Sequence, residues 1–284
     1  MSTLPHNNFA VKAVLQDDDF KRIATAVYDH CGINLHEGKR ELVQARIIKR
    51  LHATNKLSVR EYLDYAFHDK TGEEFSHFID SISTNLTSFF RENSHLTYLA
   101  EQLLPKIEAR ATDAGQRKLR AWSAGCSTGE EPYSIMITLL ENLKDVNSWD
   151  LKLLATDIST RVLKSSKAGI YDAARLATVP AIFRSKYFDL EKAGETCQVK
   201  PVLKKHIFFA YLNLMENWPF QGPFNFIFCR NVMIYFDKPT QERLVNRFYE
   251  VLAPGGVLFT GHSESLTGVK HSFKYIQPTI YGKA

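Results

Sequence analysis

The sequence predicts a doubly wound α/β domain preceded by an all-helical one, and three observations predict it. From Leu119 onward short apolar runs alternate with amphipathic helical stretches, the order that builds a mostly parallel sheet with helices on both faces. Before that, Phe20 to Leu104 carries only helical periodicity. The alternating part also opens on a distinctive unit, L-R-A-W-S-A-G-C-S-T-G-E-E-P-Y, Leu119 to Tyr133. There an apolar run, Leu119 to Ala124, ends in a loop of small residues, and helical spacing follows from Ile135 to Leu143: strand, glycine turn, helix. Gly125 and Gly129 let the backbone approach a ligand at the strand's carboxyl end, where such sheets bind ligands. Pro132 suits the first helical position, whose N–H would be unpaired anyway.

The loop is neither of the common phosphate cradles. No lysine follows its second glycine, and Gly125 and Gly129 are spaced wrongly for G-x-G-x-x-G. Glu130 and Glu131 disfavour a bound phosphate and suit a ligand with a cationic or hydroxyl group. The plainer alternative is an ordinary strand–helix turn whose acids stabilise the helix start.

At 284 residues the chain has room for two domains. No apolar run approaches the length of a membrane span, and Met1 to Phe9 has no signal-peptide pattern. Cys31, Cys126, Cys197 and Cys229 are scattered without a C-x-x-C, which suggests neither a zinc site nor a disulfide framework. A reduced, cytoplasmic setting is expected, with no metal and no direct membrane insertion. The net charge of +5 permits an acidic partner without demanding nucleic acid.

In chain order, Phe20 to Tyr28 reads as a helix broken by Gly32 and Asn34, and Lys39 to Leu51 as the next. Lys39, Arg46 and Arg50 share one stripe of that helix, with Lys49 beside it. This is either a solvated face or a docking surface for an acidic protein. Ser58 caps a further helix that Gly72 ends, and Glu74 to Ser83 is another. Asn85, Thr87 and Ser88 make a turn, anchored by Phe89 and Phe90, that leaves Arg91 to point elsewhere. Leu96 to Ile107 is helical and Arg110 to Lys118 a polar linker. The expected domains are therefore 1–112, with a linker to about 118, and 119–284. In the second, Leu151 to Thr156 is a strand ending at Asp157. That carboxylate is placed either to accept ribose hydroxyls or, like Ser159, to cap the helix Thr160 to Lys167. Residues 169–205 read as an inserted subdomain with strands at Tyr187 to Leu190 and Thr196 to Val199. His206 to Tyr211, Phe224 to Cys229 and Val257 to Thr260 are further strands, Thr240 to Leu252 a helix, and Phe273 to Tyr281 a final extended pair.

Five segments, in order, resemble the chemotaxis receptor methyltransferases, the CheR family: T-N-L-T-S-F-F-R (Thr84 to Arg91), W-S-A-G-C-S-T-G-E-E-P-Y-S (Trp122 to Ser134), A-T-D-I (Ala155 to Ile158), F-C-R-N-V-M-I-Y-F (Phe228 to Phe236) and G-H-S-E (Gly261 to Glu264). The resemblance implies a helical N-terminal domain and a class I, Rossmann-like methyltransferase domain with a small inserted β-subdomain. It implies S-adenosylmethionine as cofactor, S-adenosylhomocysteine as product, and an enzyme, a protein-glutamate O-methyltransferase. The substrate would be glutamates on the cytoplasmic helical bundle of chemoreceptors. The family's cofactor contacts fall on Asn85, Thr87, Arg91, Glu131, Asp157, Asn213, Leu214, Arg230 and Asn231. Tyr235 is similar to a tyrosine the family places near the transferred methyl, so Arg91 and Tyr235 are the expected catalytic pair.

On this reading Asp157 takes the ribose hydroxyls, Glu131 the ribose or methionine end, and Asn213 and Leu214 flank the adenine. Arg91 orients a carboxylate. Lys39, Arg46, Lys49 and Arg50 would dock glutamate-rich receptor helices. Relatives that tether to a receptor's C-terminal pentapeptide carry Gly-x-Gly in the insertion. Here Glu191 to Thr196 reads E-K-A-G-E-T, so no strong tether is expected, and the chain is expected to act as a monomer. Two rival readings carry different signatures. A nucleic-acid methyltransferase would show a proline-containing motif where Arg230 to Met233 stands and aromatics among its basic residues. An inactive cofactor-sensing relative would have lost part of the motif set.

Overall fold

The computed structural model describes residues 14–113, 115–191 and 194–284. The expectations for Met1 to Phe9, and for Lys192 and Ala193 in the insertion, lie outside the described residues. The chain divides into two compact units, Met1–Thr84 and Asn85–Ala284.

The first unit is helical: α1 (Asp17–Cys31), α2 (Arg40–Thr54), α3 (Val59–Phe67) and α4 (Glu73–Ile82). In α1, Phe20, Ile23, Val27 and Cys31 are buried at the three- and four-residue spacing of one face. Three aspartates open the helix and Gly32 closes it in the left-handed conformation, its N–H on the Tyr28 carbonyl. Ser58 caps α3 by accepting from the Glu61 N–H. Gly72 does not end α3, which stops at Phe67, but precedes α4. The Asp69 carboxylate makes the difference, because it accepts the N–H groups of Thr71 and Glu74 and folds the chain into the next helix.

The second unit begins with α5 (Asn93–Tyr98), which runs through a π-helical stretch, Leu99–Leu103, into α6 (Leu104–Asp113). The expected boundary near residue 112 therefore lies instead between Thr84 and Asn85. Phe89, Leu96, Leu99, Leu103 and Ile107 share one hydrophobic core with Leu119, Ile135 and Phe226. Burial decides domain membership here, and a polar run such as Arg110 to Lys118 does not.

There follow β1 (Lys118–Ala124), α7 (Glu130–Asn142), β2 (Asp150–Asp157), α8 (Thr160–Ala168), β3 (Ile170–Asp172), α9 (Ala181–Tyr187), β4 (Phe188–Leu190), β5 (Thr196–Val199), α10 (Pro201–Lys204), β6 (Ile207–Tyr211), β7 (Phe224–Cys229), α11 (Lys238–Val251), β8 (Leu252–Thr260), β9 (Lys274–Gln277) and β10 (Ile280–Gly282). The main sheet has the order β6-β2-β1-β7-β8-β10-β9. Neighbours from β6 to β8 pair in parallel, and β10 and β9 finish it antiparallel. The chain fills one side of β1 with β2 and β6, then returns to fill the other with β7 and β8. The order thus reverses between β1 and β7, and the crevice outside their carboxyl ends is where such sheets bind ligands. The insertion is a three-stranded antiparallel sheet, β3-β5-β4. Its first strand, I-Y-D, is too short to show an alternating pattern.

Candidate active site

The glycine loop between β1 and α7 is held close to its neighbours. Gly125 has φ 88°, and a Cβ there would lie 2.3 Å from Val232 Cγ2, so no side chain fits. The N–H groups of Gly125 and Cys126 both donate to the Thr156 carbonyl at 2.8 Å, fastening the loop to the end of β2. Ser127, at φ 50°, donates its N–H to Asp157 Oδ2 at 2.8 Å and its hydroxyl to the Asn85 carbonyl at 2.9 Å. Asp157 Oδ1 accepts the Ser159 N–H at 2.9 Å, while Ser159 itself caps α8. Between the two residues that were equally able to cap, the cap falls to Ser159, and Asp157 braces the glycine loop.

Pro132 is not the first helical residue, because α7 starts at Glu130 after Gly129. It remains within the first turn, where the N–H groups have no intrahelical acceptor. The two acids separate. Glu130 is fully buried and pairs with Arg175 of the insertion and the Thr128 hydroxyl. Glu131 faces the sheet edge, accepting from Ser123 Oγ at 2.7 Å and from Arg230 Nε at 2.8 Å. Burial, and then the charges of Asp157 and Glu131, push the Cys126 thiol well up, so it stays protonated and is no nucleophile.

At the end of β7, Arg230 is a buried hub. Besides Glu131, its Nη1 donates to the Arg91 carbonyl at 2.8 Å and to His95 Nδ1 at 3.1 Å. Since a guanidinium only donates, His95 Nδ1 must accept, which leaves its proton on Nε2 towards Thr279 Oγ1 at 2.7 Å. The Arg91 side chain donates to Asn231 Oδ1 at 3.0 Å and to the Leu86 carbonyl at 2.9 Å, and Asn231 Nδ2 donates to Glu92 Oε1 at 3.1 Å. Phe90, Glu92 and Asn231 all have positive φ, a conformation that clusters at functional sites. Phe89 anchors this turn, fully buried against Tyr171 and Phe188. Burial raises the Glu92 acid, but the Asn231 amide and the charge of Arg230 outweigh it, and the group is held below the usual carboxylate range.

Glu92, His95 and His262 bring ligand-type atoms within 4.8 Å of one another. A cation already sits there: Arg230 Nη1 is 3.1 Å from His95 Nδ1 and 3.7 Å from Glu92 Oε2. Arginine does not deprotonate, so a metal ion would have to expel it from Glu131 as well. Around the crevice the carboxylates of Glu92, Glu131 and Asp157 outnumber the guanidiniums of Arg91 and Arg230, and His95 is neutral. This balance suits a ligand of net positive charge.

Asn213 and Leu214 follow β6, whose last residue, Tyr211, pairs with Asp157. Asn213 is buried, and its Oδ1 accepts the Met215 N–H at 3.0 Å. Thr87 is half-buried on the turn that carries Asn85. Tyr235 ends the short turn Met233–Tyr235 and is half-buried, and among the described residues its hydroxyl meets no hydrogen-bonding partner. Within the helical unit, the basic stripe is partly committed. Arg50 forms a bidentate pair with buried Glu74, which also accepts from the Tyr62 hydroxyl. Arg46 donates to the Ile82 and Ser83 carbonyls at the end of α4. Lys39 precedes α2 in a short turn, and it and Lys49 are exposed. Glu92, His95, Ser127 and Glu264 also belong to the site, without a sequence signal that singles them out. Glu92 and His95 flank the quoted Arg91, and Glu264 lies inside the quoted G-H-S-E, but nothing local announces their partners.

The chain is similar to known proteins along nearly its whole length. Residues 85–281 match the CheR methyltransferase SAM-binding domain, and residues 18–83 match the CheR methyltransferase all-alpha domain. A chemotaxis protein methyltransferase of Borreliella burgdorferi is 38% identical over 98% of this chain and 98% of its own. A probable chemotaxis protein methyltransferase of Rhizobium etli is 40% identical over 90% of this chain and 96% of its own. A chemotaxis protein methyltransferase of Klebsiella aerogenes is 40% identical over 96% and 92%. With both domain patterns matched in register and relatives this similar along nearly the whole chain, the protein belongs to the CheR methyltransferase family.

Proposed function

We propose that the chain transfers the methyl group of S-adenosylmethionine to glutamate side chains on the cytoplasmic helices of chemoreceptors, forming glutamyl methyl esters and releasing S-adenosylhomocysteine. The observation that carries this reading is the buried charge network at the carboxyl edge of β1, β2 and β7, with its surplus of carboxylates, in a chain of this family. The fit to the cofactor rests on that surplus and on the close backbone approach at Gly125.

When bound, the cofactor supplies a methyl group on a cationic sulfur. Asp157 takes the ribose hydroxyls. Glu131, fixed by Arg230 and Ser123, faces the ribose or methionine end, while Asn213 and Leu214 flank the adenine. Asn85, Thr87, Arg230 and Asn231 complete the cofactor contacts, Arg230 and Asn231 mainly by holding Glu131 and Arg91 in place. Arg91 orients a carboxylate, and the Tyr235 hydroxyl donates to the acceptor glutamate. A glutamate is already ionised at neutral pH, so no general base is required. The reacting charges partly cancel as the methyl moves, so excluding water helps. Holding sulfur, methyl and oxygen in line contributes up to about 7–11 kcal/mol.

The helical unit serves docking, with exposed Lys39 and Lys49 attracting acidic receptor helices and Arg46 and Arg50 adding charge from their internal pairs. The protein works in the cytoplasm as a monomer without a strong pentapeptide tether. No described helix is long and apolar enough to cross a membrane. Sub-micromolar binding of a receptor C-terminal pentapeptide would overturn the tether reading. The central test is transfer of radiolabelled methyl to receptor-enriched membranes, with base-labile release as methanol. Label that is absent, or stable to base, overturns the proposal.

A further inference from the structure

We propose that Glu264, in the G-H-S-E segment, is a positioning residue for methyl transfer. It sets the loop from Asn231 to Tyr235 and with it the place of the Tyr235 hydroxyl, a role that rests on the methyl-transfer reading above. The carboxylate is buried. Oε2 accepts the N–H groups of Gly261 at 2.5 Å and Asn231 at 2.7 Å, and Oε1 accepts that of Ile234 at 3.1 Å. One side chain at the end of β8 thus gathers the backbone donors of the loop that leaves β7.

Chemistry explains why this must be a carboxylate. Several N–H donors converge on it, and a carboxylate is the side chain that offers acceptors only, two oxygens with about four lone pairs. Its compensation comes from backbone dipoles, because among the described residues no cationic side chain forms an ion pair with it. Burial pushes its acid up against the pull of those N–H groups. Glutamine would turn an NH2 towards N–H groups and lose part of the grip. Glycine at 261 allows the two loops to meet, since a Cβ there would lie 2.8 Å from both Asn231 N and Glu264 Oε2. Arg230, by contrast, is held by Glu131, His95 and the Arg91 carbonyl, independently of Glu264. Asn231, whose N–H Glu264 also holds, is kept in place by its side-chain bonds to Arg91 and Glu92, so loosening the anchor should move Tyr235 more than the cofactor contacts.

The test is a mutant cycle on full-length protein with receptor membranes as substrate. E264Q should lower kcat by about ten- to a hundredfold, with affinity for S-adenosylhomocysteine within about threefold of wild type. In a Y235F background E264Q should add less than about a twofold further loss, because both act through one hydroxyl. Unchanged kcat, or losses that multiply, overturns the proposal. If E264Q does not fold, G261A decides, since its Cβ forces the two loops apart while Glu264 itself is retained. It should lower kcat at least about fivefold at unchanged product affinity, and an unchanged kcat overturns the proposal. Hydrogen exchange in wild type reads the anchor without an activity assay: the amides of Asn231, Ile234 and Gly261 should be strongly protected, and free exchange sinks the idea. A wild-type protein that methylates nothing would instead sink the functional reading.

Discussion

Replacing Asp157 with alanine removes at least two buried hydrogen bonds and, on the proposed mechanism, the ribose contacts as well. The carboxylate holds the Ser127 N–H at 2.8 Å and the Ser159 N–H at 2.9 Å. Hydrogen bonds to a charged group contribute about 1.5–3 kcal/mol each, so the pair contributes roughly 3–6 kcal/mol. Domains are stable by about 5–15 kcal/mol, so the variant should fold with a clearly lower Tm. Asp157→Asn keeps one acceptor oxygen and should lose about half as much. Two ribose hydroxyls on the same carboxylate contribute a similar roughly 3–6 kcal/mol to binding, which weakens affinity about a hundred- to ten-thousandfold when removed. Calorimetric titration with S-adenosylhomocysteine, well below the Tm of the variant, measures this. An analogue lacking the ribose hydroxyls separates contact from bracing. Wild type should discriminate against it, and Asp157→Ala should not. Near-normal affinity in folded Asp157→Ala, or discrimination that survives the substitution, would refute the ribose assignment.

Three further outcomes are expected. Burial and the neighbouring Arg230 charge push His95 down from 6.5 to about 4, with Glu92 and His262 also facing it. The unfolded chain takes up that proton near 6.5 and the folded chain only near 4, so this stability is full above about pH 6.5 and lost as pH falls towards 4. The total is roughly 3 kcal/mol, and His95→Gln should flatten the slope in denaturant titrations across that window; an unchanged slope would contradict it. Reversing the exposed pair, Lys39→Glu with Lys49→Glu, should raise KM for receptor about three- to tenfold and leave S-adenosylhomocysteine affinity unchanged; equal loss of both would mean damage to the fold. Glu74→Ala strands Arg50 and the Tyr62 hydroxyl inside the helical unit and should destabilise that unit by about 3–5 kcal/mol. Thermal melts that match wild type would show the pair contributes nothing.

The sequence by itself determined the two kinds of architecture, the parallel sheet and most element bounds. Apolar runs and caps are local signals: F-N-F-I-F-C can only be a strand buried on both faces, and Ser58 announces its helix. It also singled out the loop of Gly125 and Gly129, Asp157 at the end of β2 and Arg230 at the end of β7, because strand ends and turn residues are read within a few positions. Tertiary structure alone decided who partners whom. The unit boundary fell at Thr84 and Asn85 because Phe89 and Leu96 bury with a sheet that the chain reaches only later. The capping choice between Asp157 and Ser159 was settled by an N–H arriving from Ser127, thirty positions away. Arg46 and Arg50, which share a face with Lys39 on a helical wheel, were drawn inward by Glu74 and by the carbonyls that end α4. Electrostatic pairing and backbone satisfaction act across space, so the acidic and basic residues of one crevice, from Glu92 to Glu264, become a single network only when the sheet brings its strand ends together.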